Sequence, residues 1–113
     1  MSEGGTETIG FALRLKPGHV EEYKRRHDAI WPEMREALLA SGILRYEIYL
    51  EEQSGYLFAH ILRRRDHTMD GNREHPVMRR WRQHMADILE YEGDCPRRWP
   101  LRRMFVLDAA DPS

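Results

Sequence analysis

The feature that most constrains this sequence is the order in which its apolar residues change period. Ile9, Phe11, Leu13 and Leu15 alternate with Gly10, Ala12 and Arg14, the spacing of a half-buried strand. Lys16-Pro17-Gly18 turns the chain. From His19 onward Val20, Tyr23, His27, Ile30, Trp31, Met34 and Leu38 recur at intervals of three and four, the stripe of an amphipathic helix. Pro32 lies inside that stripe. A proline there removes one helical hydrogen bond, and its ring meets the carbonyl four residues back, that of Asp28. The pattern therefore predicts a kink at Ala29–Trp31, or two helices sharing an axis. Ser41-Gly42 supplies the stop, with Gly42 suited to a left-handed residue after the last turn.

Ile43–Leu50 returns to period two, with Leu44, Tyr46, Ile48 and Leu50 on one face and Ile43, Arg45, Glu47 and Tyr49 on the other. Glu51–Gly55 connects it to a returning strand, Tyr56–Leu62. Arg63–His75 is highly charged and reads as a loop with some helix. Pro76 opens a second helix over Val77–Leu89, whose apolar stripe is Val77, Trp81, Met85 and Ile88. Glu92–Pro100 reads as irregular and Leu101–Leu107 as a last strand. The order β-α-β-β-α-β predicts an α+β, ferredoxin-like fold, a four-stranded antiparallel sheet with two helices on one face. One domain is expected over residues 9–108, with flexible tails at 1–8 and 109–113. The other sheet face carries Leu, Tyr and Phe side chains that need a cover. A homodimer through that face is the expected solution.

Composition narrows the partners. The 113 residues include 18 lysines and arginines against 19 aspartates and glutamates, a net charge of −1. A nucleic-acid binder would show a marked basic excess. No apolar run approaches the ~18 residues of a membrane span, and residues 1–8 hold no apolar signal core. Cys95 is the single cysteine, so an intrachain disulfide or a cysteine-based zinc site is not expected. These traits describe a cytoplasmic domain acting on something small.

Tyr23 and His27, four residues apart, share one helix face. That face is otherwise apolar, so the imidazole is partly dehydrated and held neutral, able to give a proton from one nitrogen and take one on the other. The same position also suits a core histidine bonded to a backbone carbonyl. Trp31 reads as a packing residue at the kink, and Tyr46 as a strand residue whose hydroxyl needs a partner. Trp81 fits the core equally well, although an indole beside tyrosine hydroxyls suits a neutral sugar. His60 and His84 read as structural or pocket-lining, and His19, His67 and His75 as solvated. No metal-ligand spacing and no phosphate loop are present, so neither a metal nor another cofactor is expected. Arg63-Arg64-Arg65 and Arg97-Arg98 lie near Asp66, Glu92 and Asp94 and read as solvated loops.

The run EEYKRRHDAIWPEM (Glu21–Met34) resembles the signature of the L-rhamnose mutarotase family, a tyrosine four residues before a histidine followed by Ile-Trp-Pro-Glu. RYEIYL (Arg45–Leu50), YLFAH (Tyr56–His60), RRWRQHM (Arg79–Met85) and RRMFVL (Arg102–Leu107) follow in the family's order, so the resemblance spans about residues 9–108. It implies a dimeric α+β barrel enzyme that interconverts the anomers of L-rhamnose without a cofactor. It also implies His27 as the catalytic proton donor, with Tyr23, Tyr46 and Trp81 binding sugar. The family carries a second tryptophan after the one matched by Trp81. Arg82 stands in its place and joins the candidate sugar contacts.

Mutarotation removes a proton from the anomeric hydroxyl and protonates the ring oxygen. The opened aldehyde turns about C1–C2 and recloses. His27 is expected to donate to the ring oxygen; a water, His84 or a tyrosine-held hydroxyl all stay open as the base. Two other readings stand beside this one: a monooxygenase or haem-degrading enzyme on the same barrel, and a non-catalytic ligand-binding module.

Overall fold

The computed structural model, which describes residues 5–109, breaks the first helical stripe at its proline. Helix α1 (Val20–Asp28) ends before Pro32, and α2 (Pro32–Ala40) begins with it. At the first helical position the missing N–H has no intrahelical acceptor to lose, and Trp31 before it is extended, as a residue preceding proline should be. Of the two outcomes the sequence allowed, the chain takes two helices.

Around them run β1 (Thr6–Arg14), β2 (Ile43–Leu50), β3 (Tyr56–Arg64), a 3-10 turn (Met69–Glu74), α3 (Pro76–Met85), and the short strands β4 (Tyr91–Glu92), β5 (Cys95–Pro96) and β6 (Trp99–Leu101). The main sheet has the order β2-β3-β1-β6, the ferredoxin-like arrangement with β6 as its fourth strand. β1 pairs antiparallel with β3 along its whole length, from Thr6 opposite Arg64 to Arg14 opposite Tyr56. Phe11, Leu13, Leu57 and Ile61 on the inner face form one core with Tyr23, Met34, Trp81 and Met85 from the helices.

Gly42 closes the corner between α2 and β2 with φ +110°, and a Cβ there would stand 2.9 Å from both Cα and Cβ of His67. Only glycine fits both the torsion and the space. The backbone around it is tied on both sides, by the amide of Arg64 donating to the Gly42 carbonyl and that of Thr68 to the Ser41 carbonyl.

Several expectations are corrected. The pairing of β2 with β3 shifts between Ile43 and Arg45, so Ile43 is buried in the core while Leu44 is 47% exposed. A bulge reverses the face of whatever precedes it, and alternation alone does not reveal one. β1 begins at Thr6 rather than Ile9, so part of the tail expected at 1–8 is paired strand. Residues 1–4 and 110–113 of the two tails lie outside the described residues.

Helix α3 stops at Met85, although Ile88 stays buried as the stripe requires. The turn after it is captured by the end of β1, where Lys16 donates its amide to the Ile88 carbonyl and Leu15 bridges Leu89. His75, exposed as read, also caps the front of α3 by accepting the Val77 amide on Nδ1 at 3.2 Å. Within the stretch read as irregular, β4 and β5 pair about Gly93, and Trp99 and Pro100 already belong to β6. The last strand is thus Trp99–Leu101, not Leu101–Leu107. Met104, Phe105, Val106 and Leu107 leave the sheet, each more than half exposed. Strand propensity marks a segment able to pair but does not by itself make it pair, and the ladder with β1 stops at Leu101.

Candidate active site

Helix α1 presents Tyr23 and His27 on consecutive turns of its inner face, with the two rings stacked at 4.2 Å between centroids. The edge of Trp81, from α3, meets the His27 ring at 5.5 Å, and Trp31 packs edge-on against Trp81 at 5.1 Å. An arginine clamp fixes the two helices against each other. Arg26, its side chain only 12% exposed, donates to Glu22 on its own helix, to the His84 carbonyl at 2.7 Å and to both Asp87 carboxylate oxygens at 2.9 and 3.2 Å.

Between these helices and the sheet lies a cavity of about 550 Å³, within the size range of small-molecule sites. Tyr23, His27, Tyr46, Trp81 and Arg82, the residues singled out from the sequence, all line it. A second cavity of about 410 Å³ shares Tyr23, His27, Tyr46 and Ile48 with the first, so both voids meet at the imidazole. Much of the remaining wall is apolar, including Met34, Met69, Met78 and Met85. Thioethers and an indole give a polarizable surface suited to the C–H faces of a ligand.

The His27 Nδ1 lies 3.1 Å from the Tyr23 carbonyl. A carbonyl only accepts, so Nδ1 carries the proton and Nε2 of the neutral ring is a bare acceptor. Burial lowers the pKa of His27 from the usual histidine value, and the Tyr23 carbonyl only partly opposes this. The ring is therefore neutral at pH 7. Burial pushes the hydroxyls of Tyr23 and Tyr46 up, so both phenols keep their protons and serve as hydrogen-bond donors or acceptors rather than as bases. No aspartate or glutamate lines the larger cavity, and Asp28 on the smaller one is paired with Lys24 at 2.8 Å. His84 is exposed and packs against Trp31 and Trp81 outside the cavity lining.

Sequence reasoning missed several wall residues. Arg98, read as part of a solvated loop, lines the cavity with its guanidinium 4.1 Å from the Phe11 ring centroid. Arg73, Asn72 and Tyr91 also reach it. Tyr91 donates its hydroxyl to the Arg82 carbonyl, and burial pushes its pKa up to about 12. Arg63 and Arg64, read as part of a solvated loop, instead end β3, with the Arg63 side chain only 17% exposed against Glu7; Arg64 and Arg65 pair with Asp66 and Glu7. Among the described residues no group of three or more His, Cys, Asp or Glu could hold a metal, and no helix is long and apolar enough to cross a membrane.

A ferredoxin-like sheet with an aromatic pocket around one neutral, half-buried histidine gives an arrangement able to move a proton beside a small, partly apolar ligand. The family model described as L-rhamnose mutarotase matches residues 8–107. A relative from Verminephrobacter eiseniae (strain EF01-2), named L-rhamnose mutarotase, is 49% identical over 104 residues, covering 91% of this chain and 98% of its own. The crystal structure of an L-rhamnose mutarotase from Formosa agariphila superposes with a TM-score of 0.83 at 30% identity, covering 90% of this chain and 99% of that one. The Mycobacterium tuberculosis protein Rv0793 shares the fold alone, with a TM-score of 0.58 at 17% identity. The chain belongs to the L-rhamnose mutarotase family.

Proposed function

We propose that this chain interconverts the α and β anomers of an aldose, L-rhamnose foremost, by opening and reclosing the sugar ring at His27. One observation supports this above the others: a neutral imidazole with Nδ1 committed to a carbonyl borders a cavity whose wall holds no carboxylate, while Asp28 on the smaller void beside it is paired with Lys24. His27 Nε2 then serves both half-reactions. It takes the proton of the anomeric hydroxyl and returns it to the ring oxygen, two oxygens bonded to the same carbon. The C1–ring-oxygen bond breaks, the aldehyde turns about C1–C2, and the reverse transfers close the ring. Atoms and protons balance with no redox step. His27 thus acts as the donor expected from the sequence, recharged by the substrate itself. Tyr23 and Tyr46 hold sugar hydroxyls, and Trp81 lies against the C–H face. Arg82, bonded from its guanidinium to the Arg73 carbonyl, lines the same cavity.

Anomer exchange measured by saturation-transfer NMR on L-rhamnose tests this reading, and its pH dependence carries a definite sign. The neutral ring is the active form, so kcat/KM should rise with pH through the His27 pKa and then level off. Because burial lowers that pKa, the midpoint of the acid limb should fall below the usual ~6.5 of histidine. A midpoint above it would contradict a dehydrated imidazole acting as the base.

We also infer that the uncovered sheet face seats a second copy of the chain, giving a homodimer, and we assign the protein to the cytoplasm, where its lone thiol stays reduced. Tyr49 on that face is 56% exposed, and Phe105 and Leu107 beyond β6 are 79% and 86% exposed. Such a run of apolar surface fits a partner better than water. Sedimentation equilibrium should return twice the 13.5 kDa chain mass; a monomer at micromolar concentration would refute the dimer.

A further inference from the structure

The cavity at His27 has a one-sided charge. Arg73, Arg82 and Arg98 all reach its wall, and no acidic side chain does. Two of the three are engaged elsewhere: Arg82 donates to the Arg73 carbonyl at 2.6 Å, and Arg73 stands 3.7 Å from the exposed carboxylate of Asp94. Arg98 differs. Among the described residues it takes part in none of the ion pairs. Its guanidinium lies over the ring of Phe11, which is itself buried at 4% exposure. Stacking on an immobile ring holds the guanidinium plane and leaves its N–H edges available. Arg98 is also near enough to the Tyr46 hydroxyl to favour the phenolate against the effect of burial, which sets it toward the sugar-binding wall.

We propose that the cavity takes, besides a neutral deoxysugar, aldoses whose end remote from the anomeric carbon bears an anion, with that anion seated on the Arg98 guanidinium. This rests on the mutarotase reading of His27. A planar guanidinium offers parallel N–H donors to two oxygens of a carboxylate or a phosphate, and a charge-assisted pair is about twice as strong as a neutral one. With no acidic wall residue to neutralise Arg98, an incoming anion meets an unpaired cation. A neutral sugar leaves that edge to water at no cost, so both kinds of substrate fit one site. The chemistry is unchanged: His27 moves one proton from the anomeric oxygen to the ring oxygen and back.

The test compares L-rhamnose, D-galacturonate and D-glucose 6-phosphate in saturation-transfer exchange, with wild-type, Arg98→Gln, Arg98→Lys and His27→Ala proteins. Circular dichroism and the unfolding midpoint establish that the variants fold. The wild type should accelerate exchange of at least one anionic sugar. Arg98→Gln should raise the half-saturating concentration of that sugar by about tenfold or more, with Arg98→Lys intermediate, and added salt should weaken the anionic sugar more than L-rhamnose. Acceleration of galacturonate alone identifies carboxylate as the anion, of glucose 6-phosphate alone phosphate, and of both the shared oxyanion chemistry. Acceleration of L-rhamnose with neither anionic sugar affected would overturn the proposal and leave the mutarotase reading standing. So would an unchanged half-saturation in Arg98→Gln. If no sugar exchanges faster with wild type than with His27→Ala, the mutarotase reading falls and the anion site with it.

Discussion

Replacing His27 with alanine should slow catalysed anomer exchange of L-rhamnose by about 10²–10⁴-fold, the usual worth of one positioned acid–base group. The effect is large because nothing else on the cavity wall can replace it. Tyr23 and Tyr46 hold their protons at neutral pH, no carboxylate lines the larger cavity, Asp28 on the smaller one is paired with Lys24, and the arginines do not give theirs up. His27→Gln separates chemistry from packing. It keeps a side-chain amide that can donate to the Tyr23 carbonyl and fills similar volume, yet it cannot shuttle a proton. It should therefore bind sugar and lose exchange as fully as the alanine variant. Undiminished exchange in either variant would remove His27 from the mechanism.

Trp81→Ala should cost about 3–5 kcal/mol of stability, the range for emptying a buried tryptophan site. Against the roughly 5–15 kcal/mol that holds a typical domain together, this leaves little margin. Trp81 is 8% exposed and meets the rings of His27, Trp31 and His84, so it joins α1, the start of α2 and α3 while forming part of the cavity wall. Urea unfolding should show the lowered midpoint, and Trp81→Phe should recover part of the loss. A cost below about 1 kcal/mol would mean that the indole is not the wedge between helices, because surface-like substitutions fall in that range.

The period changes made most of the fold readable. Alternation and helical stripes depend on which face meets the core, so β1, α1, α2, β3 and the inner positions of α3 could be placed from their own residues, and Pro32 separated α1 from α2 by its ring chemistry. What escaped depends on a second segment. The bulge between Ile43 and Arg45 exists only in register with β3, and β4 and β5 have two residues each, too few to carry a period. Arg102–Leu107 has the composition of a strand, yet the pairing with β1 ends at Leu101. The site divides the same way. Tyr23, His27, Tyr46, Trp81 and Arg82 sit on long elements whose faces could be assigned. Arg98 and Arg73 come from connections, where nothing in the local sequence tells a wall residue from a solvated one. The absence of a carboxylate from the cavity lining is a property of the assembled wall.

The most direct test follows the imidazole itself. In protein carrying ¹⁵N-histidine, the His27 resonances should report a neutral ring at pH 7 with the proton on Nδ1, and adding L-rhamnose should shift Nε2 more than Nδ1. A ring protonated on Nε2, or one whose signals ignore a saturating sugar, would contradict the placement of the proton shuttle at this residue.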